Sequence, residues 1–162
     1  MSESGPNVSG NPADMIGQVI REFVSDPVSL HHIREYLVGV GASTAHFPRG
    51  DDAAAIATVI APPLFFLSAC RQVVGEDELG EDGQHLSLGV PGIEGRSVVG
   101  GSTTEFLGEV RVGDVLFAEE RIADVKERQG KSGPLVFVET ETSYRNQRDE
   151  PVAIYRMTVV FR

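Results

Sequence analysis

The chain has 162 residues, of which 41% are apolar, so it is long enough to bury one hydrophobic core. A formal net charge of −10 argues against nucleic-acid binding and against an anionic membrane surface, because both need clustered Lys and Arg. The one cysteine, Cys70, excludes an intrachain disulfide and fits a reducing cytoplasm, and its apolar neighbours predict a packing role.

The chain begins with a segment that is predicted to be a flexible tail. Residues 1–14 are rich in Ser, Gly, Asn and Pro and lack both a basic start and an apolar run, so they do not form a signal peptide. Residues 15–162 are expected to form a single domain. Its first segment, residues 15–24, carries β-branched residues and favours a strand, although a short helix also fits so short a pattern.

Two helices of different character are predicted next. Ser29 can cap an amphipathic helix that ends near Gly41. Its apolar residues recur at helical spacing: Leu30, Ile33, Leu37 and Val40. In the stretch IAPPLFFLSACRQVV, Pro62 and Pro63 suit a first turn, and the following residues are apolar on nearly all sides. This second helix is therefore expected to be long and enclosed on nearly all sides.

Residues 75–96 are acidic and rich in turn-forming residues, so we expect a surface excursion there. From Ser97 onward, four segments with strand character alternate with short polar turns, which predicts an antiparallel meander. In the third segment two faces are distinguished by alternation. The predicted buried face holds Val136, Val138, Thr140, Thr142 and Tyr144, and the wet face holds Glu139, Glu141 and Ser143.

A long antiparallel sheet and one apolar helix pack most economically when the sheet curls around the helix, which is the hot-dog fold of the α+β class. A general α+β sandwich is the alternative. The stretches VIAPPLFF and RMTVVFR, and the combination of VRVGDVL with KSGPLVFVETETSYRNQ, carry a more specific signal. Through them, residues 15–162 resemble the MaoC-like hot-dog dehydratases, and specifically their N-terminal, fatty-acid-synthase-type dehydratase branch.

The resemblance implies reversible dehydration of 3-hydroxyacyl thioesters that are carried on coenzyme A or on the phosphopantetheine of an acyl carrier protein. It implies neither a metal nor a redox cofactor. Active members of the family place a catalytic Asp and His on a loop of the form Gly-Asp-x-Asn-Pro-x-His. The Asp and His supply the base and the acid that the elimination needs.

The stretch GASTAHF, which begins at Gly41, departs from that loop at both catalytic positions. When Gly41 is aligned with the Gly, Ala42 takes the place of the Asp and Phe47 that of the His. A shift by one residue brings His46 into the His position, but it then puts Gly41 in the Asp position. No register restores the pair, so the chain is predicted to be a non-catalytic or catalytically reduced subunit.

The resemblance also indicates a partner, because paired hot-dog dehydratases often combine a catalytic half with a half that shapes the acyl tunnel. A partner hot-dog subunit with an intact Asp and His is therefore expected, in a heterodimer or heterotetramer. The residues expected to line the tunnel or approach the substrate are Phe47, Pro62, Pro63, Phe66, Gly100 and Gly101. The alternatives are a self-sufficient dehydratase, a non-enzymatic acyl-thioester-binding module and a hot-dog thioesterase.

Four histidines are candidates for chemistry. His46 lies on the loop and has Asp51 and Asp52 within chain reach, so a carboxylate could raise its basicity, although a wall or surface role is the plainer interpretation. His31 and His32 are adjacent on a helix and cannot face one site. His85 lies in the acidic excursion, and without cysteine partners at ligand spacing no metal site is predicted.

Acidic and basic residues on the predicted strands offer further candidates. Glu105, Glu139 and Glu141 could serve a thioesterase as nucleophile or base, but an exposed polar face with its charges in water is the plainer interpretation. A basic cluster flanks the turn KERQGKSG and comprises Lys126, Arg128 and Lys131. It could contact the phosphates of coenzyme A or phosphopantetheine, or an acidic carrier protein, or it could be an ordinary solvated hairpin end.

Overall fold

The computed structural model describes residues 7–48, 52–71, 73–80, 83, 89–131 and 133–162. The strands and α-helices of this part follow in chain order as β1 (Asn7–Val8), β2 (Val19–Val24), α1 (Leu30–Gly39), α2 (Ala53–Ala57), α3 (Phe65–Ala69), β3 (Ile93–Glu94), β4 (Ser97–Phe106), β5 (Leu116–Gly130), β6 (Gly133–Asn146) and β7 (Pro151–Phe161). Short 3-10 helices span Pro12–Met15 and Glu76–Glu78. No helix within the described ranges has the length and apolar character needed to traverse a bilayer.

Five strands form one antiparallel sheet in the order β2-β5-β6-β7-β4. The predicted meander is confirmed for β5, β6 and β7. It is wrong for β4, which pairs with β7 and lies at the sheet edge. The connection over residues 107–115 can cross two intervening strands, because three interstrand spacings of about 4.8 Å need only a few extended residues of about 3.3 Å each.

The first predicted helix is confirmed as α1. The Ser29 Oγ accepts a hydrogen bond from the His32 N–H at 3.1 Å, which satisfies one of the free donors at the helix start. Leu30, Ile33 and Leu37 are buried against the sheet. Val40 is 59% exposed, so its predicted place on the packed face is wrong, because the helix has ended at Gly39.

The predicted long apolar helix is wrong, since α3 has only five residues. Before the prolines, the Ala61 N–H donates to the Val110 carbonyl, which ties this segment to the β4–β5 connection in extended form. A proline has no N–H to extend a helix backwards. Beyond Cys70, the β-branched Val73 and Val74 disfavour a further helical turn. One helix therefore cannot cover the whole inner face of the sheet.

The inner face of the sheet carries two separate apolar cores. The helix-end core lies under α1 and α3 and comprises Val28, Leu30, Ile33, Leu37, Val59, Ala61, Phe65, Phe66, Cys70, Val110, Leu116, Ala118, Tyr144, Val152 and Ala153. The hairpin-end core lies toward the β5–β6 turn and comprises Met15, Val90, Ile93, Ile122, Val136, Val138 and Phe161. Between the cores, Arg21 pairs with Glu120 at 3.0 Å. The predicted buried face of β6 is confirmed in full.

Two short segments cover the hairpin-end core in place of a helix. β1 pairs with β3, and Met15, Val90 and Ile93 turn their side chains onto the sheet. Residues 7–14 include β1 and most of the first 3-10 helix, and their flexibility as a tail stays a prediction. Val90 and Ile93 are core residues rather than part of a surface excursion. Residues 1–6 lie outside the described part of the chain, so the tail prediction stands untested for them.

Candidate functional site

The loop that follows α1 begins with a well-formed helix stop. The Gly41 N–H donates to the Val38 carbonyl at 3.0 Å, and the Ala42 N–H donates to the Leu37 carbonyl at 2.8 Å. This pair of bonds is the Schellman arrangement, and it needs the positive φ of 75° that Gly41 adopts. Gly41 therefore has a structural role, and the loop direction is fixed from its first residue.

The rest of the loop is held by one aromatic side chain and one arginine. Phe47 is half-buried and packs against the helix-end core. The exposed His46 ring lies beside it, with the ring centroids 4.5 Å apart. The Arg34 guanidinium donates to the Pro48 carbonyl, which anchors the end of the loop on α1. Phe47 is thus a packing residue of this loop.

Asp52, one of the two predicted carboxylate partners of His46, has a different role in the structure. Asp52 caps α2, because its Oδ1 accepts the N–H groups of Ala54 and Ala55 at 3.1 Å each. Asp51 lies outside the described residues. Over the ranges that the structure describes, no carboxylate forms an ion pair with His46.

The other histidines are separated as expected. His31 is exposed and lies 3.3 Å from Glu35 on the same helix. His32 lines a cleft of about 410 Å³ between α1 and α3, together with Tyr36 and Arg71. His85 lies outside the described residues. No three His, Cys, Asp or Glu side chains in the described ranges are grouped so that they could hold a metal.

The predicted tunnel residues fall into two groups. Phe66 belongs to the helix-end core, and Phe47 packs against that core. Pro62 is half-buried and Pro63 is exposed. Phe66 is only 1% exposed, so its side chain is a core element here, and its role beside the acyl chain stays a prediction. Its ring contacts Tyr144, with centroids 4.6 Å apart.

Phe106, which was not among the predicted site residues, lies in front of Phe66. The two rings meet edge to face with centroids 6.4 Å apart, and Phe106 is 53% exposed at the end of β4. An apolar side chain at the end of an edge strand is the signal that could have identified it. Phe106 is therefore the aromatic residue that the helix end presents at the sheet edge.

Gly100 and Gly101 lie toward the other end of β4, away from Phe47 and Phe66. They form a bulge, since the β4–β7 register shifts between Val99 and Gly101. A Cβ at Gly100 would lie 3.1 Å from Cγ2 of Val160. Close strand packing thus explains Gly100 without a ligand.

The interior behind the loop holds two ionisable groups in neutral form. Burial raises the pKa of the Cys70 thiol to about 12. Burial, followed by the nearby Cys70, Glu120 and Tyr155, raises the pKa of Tyr144 well above its ordinary value. The predicted packing role of Cys70 is confirmed by its burial. Neither group is prepared to act as a nucleophile or base at neutral pH.

The strand carboxylates and the basic cluster lie on the outer face of the sheet or at the hairpin end. Glu139 and Glu141 alternate with the buried residues of β6, and Glu141 pairs with Arg156 at 2.7 Å. Lys126 forms an ion pair with Asp124, and the Arg128 guanidinium lies 5.5 Å from the centroid of the Phe137 ring. Neither Glu139 nor Glu141 therefore shares a surface with the loop after α1.

The fold has solved counterparts at low sequence identity. The ChsH1-ChsH2 complex from Mycobacterium tuberculosis has a chain with 16% identity and a TM-score of 0.59, over 87% of this chain and 82% of that one. R-hydratase PhaJ1 from Pseudomonas aeruginosa has 18% identity and a TM-score of 0.57, over 97% of this chain and 87% of that one. The HadBC (3R-hydroxyacyl-ACP dehydratase) complex from Mycobacterium tuberculosis has a chain with 22% identity and a TM-score of 0.54, over 90% of this chain and 99% of that one. The predicted α+β hot-dog fold is thereby confirmed.

A match between the sequence and a family model identifies the family. Residues 14–155 match the model of the "FAS1-like, dehydratase domain region", so the chain belongs to this family of dehydratases. No curated protein matches the chain significantly. At the level of the family, the predicted relation to hot-dog dehydratases is confirmed, and the reaction class is that of a lyase.

Proposed function

We propose that this chain is the non-catalytic, or catalytically reduced, subunit of a heteromeric 3-hydroxyacyl-thioester dehydratase. A partner hot-dog subunit supplies the catalytic Asp and His, and this chain completes the sheet and shapes the acyl tunnel. The observation that carries the proposal is the pair Ala42 and Phe47 on the loop after α1. A methyl group and a phenyl ring cannot exchange the protons that water elimination moves.

The conformation of the loop supports this interpretation. Phe47 packs onto the helix-end core and Asp52 is engaged as a helix cap, so neither side chain is held ready for substrate. The His46 ring is exposed on the loop. A self-sufficient enzyme would have to work with His46 and without an assisting carboxylate from the described residues.

Within the described part of the chain, the outer edge of β4 has no strand partner, which supports pairing with another subunit. This ten-residue strand carries one charged residue, Glu105, and exposes Val98 by 57% and Val99 by 66%. Long edge strands without Lys or Pro are templates for pairing with another chain. The opposite edge, β2, is shorter and carries Arg21 and Glu22. ChsH1-ChsH2 and HadBC are each described as complexes of two different components, which is the assembly that we propose here.

Pairing through β4 would bring opposite ends of the two sheets together. Two edge strands related by a two-fold or pseudo-two-fold axis run antiparallel. The helix end of the partner, with its catalytic loop, would then lie beside the hairpin end of this chain. Gly100 and Gly101 lie in the half of β4 that is nearer to that end, so we propose that they approach the acyl chain.

The substrate is expected to be an acyl thioester on coenzyme A or on phosphopantetheine, with no further cofactor. The free thiol of Cys70 is compatible with a cytoplasmic location, which remains a prediction.

The proposal is tested by assaying hydration of enoyl thioesters with the chain alone and with a hot-dog partner that carries an intact Asp and His. We expect turnover only with the partner, and we expect it to survive His46→Ala within about twofold, because no proton transfer depends on His46. His32→Ala, on the exposed side of α1, is the matched control for loss of an imidazole.

The other functions predict different outcomes. Turnover by the chain alone that falls by orders of magnitude in His46→Ala would identify a self-sufficient lyase. Thioester hydrolysis would identify a thioesterase, and ligand binding without turnover in any combination would identify a binding module. Each of these results contradicts the proposal.

A further inference from the structure

One complete cross-strand row on the inner face of the sheet consists of polar residues. Directly opposed residues of an antiparallel sheet point to the same face. From the β2 edge to the β4 edge, the opposed residues of this row are Arg21, Glu120, Thr142, Tyr155 and Thr104. Because Thr142 belongs to the buried face of β6, the row lies on the inner face, between the helix-end core and the hairpin-end core.

The half of the row that is nearer to β2 is explained by the fold. Arg21 and Glu120 form the ion pair at 3.0 Å, and both side chains are largely buried. Thr142 is buried as well and makes a side-chain hydrogen bond with Tyr144. These groups satisfy one another, so this half of the row needs no ligand.

The half of the row at β4 differs, because its polar groups lack partners. Tyr155 and Thr104 are directly opposed, and each is half-buried. In the part of the chain that the structure describes, neither hydroxyl makes a hydrogen bond. Water can serve both hydroxyls in the isolated chain. A subunit that pairs with β4 would enclose this end of the row, and enclosed hydroxyls need another hydrogen-bond partner.

The two hydroxyls lie in the middle of a partly exposed strip on β4 and β7. Toward the helix end, the strip is bounded by the ring of Phe106, which is about half-exposed. Toward the hairpin end, the exposed Val99 is opposed to Val159. Val159 and Tyr155 are four residues apart on β7, which corresponds to about 13 Å. A molecule along the strip therefore meets an apolar end, then the two hydroxyls, then an aromatic ring.

We propose that Tyr155 and Thr104 bind an oxygen atom within the acyl group, so that the complex selects acyl thioesters with a keto or hydroxyl group in mid-chain. The inference rests on the proposed function, in which this chain shapes the acyl tunnel. With the partner's catalytic loop beside the hairpin end, the acyl group enters past Val99 and reaches the hydroxyls about 13 Å further on. A keto oxygen can accept a hydrogen bond from each hydroxyl.

The hydroxyls would also act against a plain alkyl chain. Such a chain would enclose both hydroxyls without a partner, and leaving a buried polar group unpaired costs more than a formed hydrogen bond contributes. Sites that hydrogen-bond a substrate oxygen therefore reject the analogue that lacks it more strongly than an apolar pocket rejects an added hydroxyl. Tyr155 and Thr104 are thus specificity-determining residues, and neither takes part in proton transfer.

Competition between 2-enoyl thioesters of one chain length tests the proposal in the complex with the catalytic partner. One substrate has a plain chain, and the others carry a keto oxygen at successive carbons. We expect one keto position to be preferred over the plain chain by about tenfold to a hundredfold in kcat/KM. Thr104→Val and Tyr155→Phe should each lower that preference at least about threefold, and the double variant should remove it.

The matched control is Thr103→Val, which makes the same change of hydroxyl to methyl. Thr103 neighbours Thr104 on β4 but points to the outer face, so this variant should keep the preference. A measurement without turnover checks the contact itself. The C=O stretch of a carbon-13-labelled keto fatty acid should fall in frequency on binding to the chain or the complex, and it should rise again in Thr104→Val and Tyr155→Phe.

The outcomes separate this inference from the proposed function. Partner-dependent turnover without a preference for any keto position would defeat the inference and leave the proposed function standing. A preference that persists in the double variant would place the oxygen elsewhere and would also defeat the inference. A lowered C=O stretch that depends on Thr104 and Tyr155, without partner-dependent turnover, would support the oxygen site and defeat the proposed function.

Discussion

The two apolar cores share the strands β5, β6 and β7 but are closed in different ways. The helix-end core is covered by α1, with its capped start, and by the single turn of α3. The hairpin-end core is covered by Met15 and by Val90 and Ile93 from the segment that includes β3. The alternation of a strand decides which of its faces is buried, but it does not decide what covers that face.

The largest effects are expected from matched cavities in the two cores. Ile33 and Ile122 are both 0% exposed, one in each core. Ile33→Ala and Ile122→Ala should each lower the free energy of unfolding by about 2–5 kcal/mol, because the shared strands make the cores one cooperative unit. Urea denaturation measures both values, with the exposed Val38→Ala as control. A loss below about 0.5 kcal/mol for Ile122→Ala would show that the hairpin end is not part of that unit.

The buried ion pair between the cores should give the next largest effect. Arg21→Met leaves the Glu120 carboxylate in a site where its side chain is only 10% exposed, so we expect a loss of about 3 kcal/mol. The double variant Arg21→Met with Glu120→Leu should recover most of that loss, because no unpaired charge remains. A double-mutant cycle, measured by thermal denaturation, gives the coupling energy between Arg21 and Glu120. Additive effects would contradict a direct interaction between the two side chains.

Helix caps distinguish a covering helix from a peripheral one. Ser29→Ala removes the cap of α1, whose buried residues close the helix-end core, and should cost about 1 kcal/mol. Asp52→Ala removes the cap of α2, which has no buried residue, and should cost clearly less in global stability. Chemical denaturation of both variants tests this order. An equal or larger loss for Asp52→Ala would mean that α2 also supports the core.

The smallest effect concerns alkaline pH and should be confined to the helix-end core. Burial raises the pKa of Cys70 from its ordinary value of 9.0 to about 12, so the folded state holds the proton more tightly than the unfolded state. The resulting stability is complete below about pH 9 and declines as the pH rises toward 12. Cys70→Ala should therefore reduce the alkaline decline by less than about 1 kcal/mol at about pH 9.5. An unchanged pH dependence of stability in this variant would contradict a raised pKa of Cys70 in the folded state.

Much of the fold could be predicted because it depends on local patterns. The faces of β6 and the capped start of α1 follow from alternation and from the chemistry of Ser29. The position of β4 could not be predicted, because its neighbour β7 is remote in sequence and a short polar connection suits either arrangement. The predicted length of α3 was wrong for a related reason. Apolar composition indicates burial, whereas the extended pairing of Ala61 with Val110 limits the helix.

The candidate site was only partly visible in the sequence. The prediction that Ala42 and Phe47 replace both proton-transfer side chains rests on an alignment of short motifs. Phe106 could not be found by such an alignment, because its contact with Phe66 depends on which strands become neighbours. The burial of Phe66 likewise depends on the Tyr144 ring that closes over it.

The position of β7 between β6 and β4 has a consequence for biosynthesis. In the sheet, β4 pairs with β7, which follows all the other strands in the sequence. The backbone groups of β4 that bond to β7 therefore have no partner until β7 has left the ribosome. Long-range pairing of this kind delays folding and leaves nascent strands open to wrong contacts. The apolar residues of β4 are thus exposed during translation as well as in the isolated chain, and a companion chain present early would shield them.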